Sequence, residues 1–363
     1  MVFMTPKRLK TLWALVIAAI VMYLFGLNSG WVEMLYSQGI YKQISLVQRR
    51  VFGIFPFSIG DVLYGFAAVF LLWKLVFFMV KIFKTARGER KKYFVSALIS
   101  LATGALVVYL IFNLLWGLNY NRPGVQVELG IKPEQYSKAD LVQINELLLQ
   151  KVNDSRKTVA DEGGFIQSPD SVFAITKKAV ANAALSMPFL NTPGLVIKSS
   201  LWGWLGNSAG FTGYYNPFTG EAQVNTDYPA FVLPYVSCHE LAHQSGYAKE
   251  MEANFVGYLT AIHANNPAFN YSVYFDLFMY ANRNLYFTDS SLALNLRNSL
   301  DTLVKQDMTE LRNFMDRHSN FTEPLIRWVY TMYLKGNRQP EGMLSYDKVT
   351  GFIIGYYKKF GKI

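Results

Sequence analysis

At 363 residues, with a net charge of +10, 52% apolar and only 17% charged residues, the chain is too apolar for a wholly soluble protein. A single cysteine, Cys238, excludes an intramolecular disulfide. The basic residues gather beside apolar segments, which marks them as topology signals and argues against nucleic acid as a partner.

The first 118 residues read as a membrane anchor with three spans. The first runs over 11–31, behind Lys7, Arg8 and Lys10, and no small-x-small cleavage site follows it, so it reads as a retained anchor. The second covers 62–80, with Lys74 near enough to its basic end to snorkel. The third covers 93–116 and carries no charge. Between the last two lie Lys81, Lys84, Arg87, Arg90, Lys91 and Lys92, which place that loop in the cytoplasm. An odd number of crossings then puts residues 119–363 on the periplasmic or extracellular side of a bacterial inner membrane. The loop 28–61 is expected on the same side, with an amphipathic helix on the membrane surface.

From residue 119 the composition becomes that of a folded domain. Leu141, Ile144, Leu147 and Leu148 share a face and predict a helix over 138–152. Further helices are expected at 171–186, 229–244, 250–264, 300–318, 324–334 and 346–359. Strand character appears at 195–199 and across 211–225, where Asn216-Pro217 and Thr219-Gly220 signal turns. The expected class is α+β: a mostly helical, zincin-like domain with a small sheet, preceded by three transmembrane helices.

Residues 239–243 read His-Glu-Leu-Ala-His. On a helix, i and i+4 lie one above the other, so His239 and His243 aim both imidazoles at one point. Glu240, about 100° round, reaches a water beside a metal rather than the metal itself. With four histidines in the chain, chance placement of this pattern has a probability of roughly two in a thousand. A catalytic zinc ion needs a third protein ligand, and Glu250 and Glu252 compete for that role on the helix that follows Gly246. Gly246 is placed to end the first helix in a left-handed turn.

The motif resembles that of the gluzincins, zinc peptidases in which a glutamate on a following helix completes the site. In many of them that glutamate is followed by alanine three positions on and Asp or Asn four on. Glu250, Ala253 and Asn254 match and Glu252 does not, so the resemblance implies Glu250 as ligand, with Asn254 positioned to bond a ligating imidazole from behind. A resemblance over nearly the whole chain is to a bacterial membrane family, domain of unknown function 3810. It rests on the three spans, the extended His-Glu-Leu-Ala-His-Gln-Ser-Gly motif, the stretch 213–221, and Tyr333-Leu334-Lys335 with Ser345-Tyr346. It implies Tyr346, Tyr333 and Lys335 as candidate donors to an oxyanion.

The expected function is zinc-dependent hydrolysis of peptide bonds with Glu240 as general base. The alternative is a non-catalytic zinc-binding envelope protein acting as a sensor or peptide-binding scaffold. Expected partners are the lipid bilayer and a peptide or protein substrate; 211–225 reads equally as an edge strand that takes up that substrate and as a strand and loop of aromatic core residues. Cys238 reads as a small buried hydrophobe, His263 as an ordinary helix residue, and His318 as a charge complementing a helix end.

Overall fold

The structure is a computed structural model and describes residues 6–363. Three helices are long and apolar enough to cross a membrane: α1 (Pro6–Gly26), α3 (Ile59–Lys84) and α4 (Arg90–Leu115). The first ends at Gly26 rather than at residue 31, because Asn28 accepts the Trp31 N–H and caps a new turn. Ser58 caps α3 by accepting the Asp61 N–H, and Lys81 and Lys84 in its last turn complement the helix dipole.

The loop between α1 and α3 is almost entirely helical. A nine-residue π-helical stretch, Val32–Ile40, leads directly into α2 (Tyr41–Phe52). That helix is amphipathic in an inverted sense. Its Tyr41, Ser45, Gln48 and Arg49 are buried against the globular part, while Val47 and Val51 are exposed. Gln48 donates to the carbonyls of Pro217 and Phe218 at 2.9 and 3.0 Å, and Tyr41 donates to the Gln244 carbonyl at 2.8 Å. Packing therefore runs across residue 118. Val32, Tyr36, Tyr41, Trp116, Leu118 and Tyr120 form one cluster with Tyr215 and Ala248.

The main core is helical. It is built from α5 (Lys138–Asp161), α6 (Pro169–Ser186), α8 (Leu233–Gln244), α9 (Glu250–Ala261), α10 (Pro267–Thr288) and α14 (Val349–Phe360), with α7 (Gly203–Ala209), α11 (Ser290–Asn298), α12 (Thr302–His318) and α13 (Glu323–Gly336) around it. The 22-residue α10 packs along α5 and carries Phe269, Tyr271, Phe275 and Phe278 into the core. The sequence patterning misses it, because its aromatic and apolar residues go nearly all round. The short α7 and α11 are missed as well.

The sheet has three short strands in the order β1 (Ile197–Ser199), β3 (Glu221–Val224), β2 (Gly213–Asn216). The outer pair is an antiparallel hairpin, Gly213 opposite Val224, and β1 runs parallel to β3. Ala222 and Val224 join the main core beneath α8, while Lys198 and Glu221 meet the end of α2 and the start of α3. There Glu221 accepts the Gly60 N–H at 2.7 Å, and Lys198 donates to Glu221 at 2.5 Å and to the carbonyls of Phe52 and Phe57. Asp61 accepts from the Leu201 N–H at 2.6 Å and from the Tyr214 hydroxyl.

Candidate metal centre

The helix α8 carries the His-Glu-Leu-Ala-His motif at the centre of the fold, and every one of its twelve residues is buried. Pro234 falls in its first turn, where a missing N–H costs nothing. Gln244, one residue past the second histidine, locks the helix end to the sheet. Its amide donates to the Val196 and Gly220 carbonyls at 2.7 Å each and accepts the Val196 N–H at 3.0 Å. Gly246 then turns left-handed at φ 89°, and a side chain there would meet the Tyr41 ring at 3.0 Å. The reversal brings α9 back against α8 with Glu250 in its first turn.

His239, His243 and Glu250 each offer an atom to one point, and those three atoms lie within 4.8 Å of one another. Glu250 Oε2 is 3.2 Å from His239 Nε2 and 3.4 Å from His243 Nε2. Neither contact has hydrogen-bond geometry, and Glu250 Oε2 is left without a hydrogen-bond partner although buried. Three donor atoms that face a common point rather than one another fit a cation there, and two imidazoles with one carboxylate are a zinc donor set. The electrostatics agree. Burial opposes charge on each group, yet His243 and the other imidazole hold the Glu250 carboxyl far below its usual range, and Glu250 and Glu240 push His243 up to about 9. Burial, by contrast, pulls His239 below its ordinary value.

The residues behind these three fix their orientation. His243 Nδ1 lies 2.8 Å from the Tyr247 carbonyl, which can only accept, so that nitrogen carries a hydrogen and Nε2 is the one that faces Glu250. Asn254 lies beside the His239 ring, and its amide donates to the Tyr346 carbonyl at 3.3 Å. Glu250 is held by Tyr330, which donates to Oε1 at 3.0 Å, and by Gln339, whose side chain accepts the Glu250 N–H at 2.9 Å. Trp116 donates its indole N–H to the His243 carbonyl at 3.1 Å and sets its ring edge-on to the imidazole.

Glu240 is buried beside the cluster with Oε2 unpartnered, and burial pushes its carboxyl up to about 8. It packs under the edge strand. A side chain in place of Gly213 would strike Glu240 Oε1 at 2.8 Å, so the glycine lets strand and carboxylate approach. Thr212 pairs through its carbonyl with the Asn225 N–H at 2.8 Å, and the alternation of an antiparallel ladder then turns the amides of Gly213 and Tyr215 away from β3.

Glu252, the competing carboxylate, does not join the cluster. Two residues beyond Glu250 it is about 200° round the helix, where it accepts from Lys249 at 2.9 Å. Of the three oxyanion candidates, Tyr346 is brought in. Its ring stacks near that of His239 and its hydroxyl lies 2.9 Å from that of Tyr330. Tyr333 stands one layer back, stacked on Tyr330 and 3.1 Å from the Tyr120 hydroxyl. Lys335 is not brought in. Five residues past Tyr330 it leaves the inward face of α13 and is exposed near Gly342. Tyr330 itself escapes the sequence reading, as one of 23 tyrosines with no motif to single it out. Cys238 is buried, and His263 and His318 each bond a carbonyl four residues back on their own helix.

The profile of one family, described as protein of unknown function (DUF3810), matches residues 36–354. The chain belongs to that family. The match takes in every DUF3810 residue discussed above for the metal centre, together with two of the three apolar helices. No curated protein and no solved structure matches the DUF3810 chain significantly.

Proposed function

We propose that this chain is a membrane-anchored zinc metallopeptidase of the gluzincin kind, with residues 119–363 on the periplasmic or extracellular side of a bacterial inner membrane. The observation that carries the reading is the meeting of three buried ligand atoms within 4.8 Å, with a second buried carboxyl group, Glu240, beside them and its Oε2 unpartnered. A purely structural site needs the ligands but has no use for an unpaired buried carboxylate, which costs stability unless it has work to do.

His239, His243 and Glu250 would hold the ion. A zinc ion held by them would supply the Lewis acidity that polarises a scissile carbonyl and acidifies a water. Glu240, whose ionised form a bound cation would favour against the burial that raises its pKa, would take a proton from the attacking water on a carboxylate oxygen and hand it to the leaving amine nitrogen. Tyr330 gives its one hydroxyl hydrogen to Glu250, which leaves Tyr346, 2.9 Å from Tyr330, as the hydroxyl that would turn to donate to a developing oxyanion. The outward amides of Gly213 and Tyr215 offer an extended peptide a strand to pair with, immediately over Glu240.

The deciding experiment is Glu240→Gln in the full-length chain, with zinc content and peptide-library cleavage measured together. Zinc content is expected to stay at that of the wild type while turnover falls by at least roughly 100-fold. Unchanged cleavage in Glu240→Gln, with loss in His239→Ala, would mean that the zinc is structural, and the sensor or scaffold reading would replace this one.

A further inference from the structure

The metal centre lies one side chain from the end of an apolar helix. Trp116, which donates to the His243 carbonyl, is the residue immediately after α4. Tyr64, in the second turn of α3, packs on Tyr214 of the edge strand and on Phe218. Any membrane crossed by these helices thus ends beside the cluster rather than a domain's width away.

Two apolar lips flank the centre at that level. On one side, Trp202 donates its indole N–H to the Asp61 carbonyl near the start of α3, and Leu201, Trp204 and Leu205 around it are exposed. On the other, α13 shows Leu325, Trp328, Val329 and Met332 to the outside, the i, i+3, i+4, i+7 spacing of a single helical stripe. The opposite side of α13 carries Tyr330 inward to Glu250. Met332 continues the stripe into a cavity of about 370 Å³ that α13 forms with the domain-side ends of α1 and α4, lined by Met22, Tyr23 and Phe112 among others. Arg338 ties this end of α13 to α1 through the Gly26 carbonyl at 3.3 Å. Tyr120 and Tyr333 also line the cavity, and one ring beyond Tyr333 is Tyr330 on Glu250.

An exposed apolar stripe that continues into the surface of membrane-crossing helices is covered by the same lipid as they are. A cavity at that level, with Met22, Phe112 and Met332 in its wall beside Asn113, Asn121 and Arg338, lies between the ends of the apolar helices and a ligand carboxylate that two stacked tyrosines separate from it. Building on the peptidase reading, we propose that the substrate is a polypeptide anchored in the same membrane, admitted between α13 and the ends of α1 and α4 and cut within a few residues of the bilayer surface.

The test uses the full chain, zinc-loaded, in vesicles of phosphatidylcholine and phosphatidylglycerol. The probe is one fluorogenic peptide, chosen from a library for cleavage by the full chain. It is presented free, or tethered by an N-terminal palmitoyl group through either a short or a long Gly-Ser spacer. An extended spacer adds about 3.3 Å per residue, so a two-residue spacer holds the bond at the surface and a twenty-residue one releases it well beyond. The tethered peptide with the short spacer is expected to be cleaved at least about 10-fold faster than the free one and no slower than the long-spacer form, a one-decade change being what about 1.4 kcal/mol confers.

Gly336→Trp gives the matching block. A Cβ at Gly336 meets nothing within 4 Å and Gly336 lines the cavity, so a tryptophan there has room to start from and is placed to crowd the entry. It should remove the advantage of the tether and leave cleavage of the free peptide unchanged. Equal rates for free and tethered peptide, a preference for the long spacer, or a tether advantage untouched by Gly336→Trp would each overturn the inference while leaving the peptidase reading intact. No cleavage of any form by zinc-loaded protein would overturn both.

Discussion

Tyr330 donates its hydroxyl hydrogen to Glu250 across 80 residues of sequence, so the carboxylate on α9 is aimed from α13. A bond of this kind behind a metal ligand sets its direction, and its loss weakens metal binding by about 10–100-fold. Tyr330→Phe keeps the ring that packs edge-on to Phe211 and removes only the hydroxyl. Zinc affinity, measured by competition with a chelating dye, is expected to fall within that range while the melting temperature of the metal-free protein stays put. An unchanged affinity would leave Tyr330 without a part in orienting Glu250.

The two glutamates of α9 should separate cleanly. Glu250→Gln removes a ligand charge, so zinc is expected to be lost on dialysis. The wild type should hold it and melt higher with metal than after chelation, since a ligand at about 100 times its Kd contributes about 2.7 kcal/mol. Glu252→Gln should retain zinc and lose stability only through its buried contact with Lys249. Melting scans of both variants with and without metal decide it, and zinc loss confined to Glu252→Gln would reverse the assignment.

Lys198 and Glu221 form a buried pair that also binds the first turn of α3 and the carbonyls of Phe52 and Phe57. Lys198→Met keeps the length of the side chain but leaves Glu221 charged and unpaired in the interior, at a cost of about 3–5 kcal/mol. The expectation is a large drop in melting temperature in detergent. Replacing both residues by apolar ones should cost less than Lys198→Met alone. A single variant as stable as wild type would mean that water reaches the pair.

Cys238 gives a silent background for topology. Burial pushes its thiol far above the ordinary range, so a maleimide should react with it only after unfolding. Cysteines placed at Gly88, where a side chain meets nothing, and at the exposed Glu162 then report alone. In cells with the outer membrane opened, position 162 should react with an impermeant reagent and position 88 should be shielded. The opposite pattern would put the metal centre in the cytoplasm.

What the sequence discloses here depends on how local the signal is. Length and uninterrupted apolarity are enough for the three long helices, and a fixed five-residue spacing is enough to bring His239 and His243 together. Gly246 brings Glu250 and Glu252 within reach alike, since a glycine that ends one helix leaves few places for the next to start, and it is the gluzincin resemblance, through Ala253 and Asn254, that separates them. The 267–288 helix has no such signature, because a helix buried on most sides loses the stripe by which helices are recognised. Tyr330, Gln339 and Trp116 are unreadable for another reason. Each acts on a residue 80 or more positions away, and nothing in its own neighbourhood marks it.

The inverted α2 has a consequence for how the protein is made. Its polar residues find their partners 169 and 195 or more positions later, at Pro217 and Gln244. At a synthesis rate of about 5–20 residues per second, the ribosome needs roughly 10–40 s to deliver them. Through that interval Gln48 and Arg49 have only water for company, while Val47 and Val51 already face outward as they do in the finished fold. The helix can rest on the lipid beside α1 with its polar side up, and the sheet and α8 arrive on top of it. The nascent chain thus holds a prepared berth open for the half of the protein that has yet to be translated.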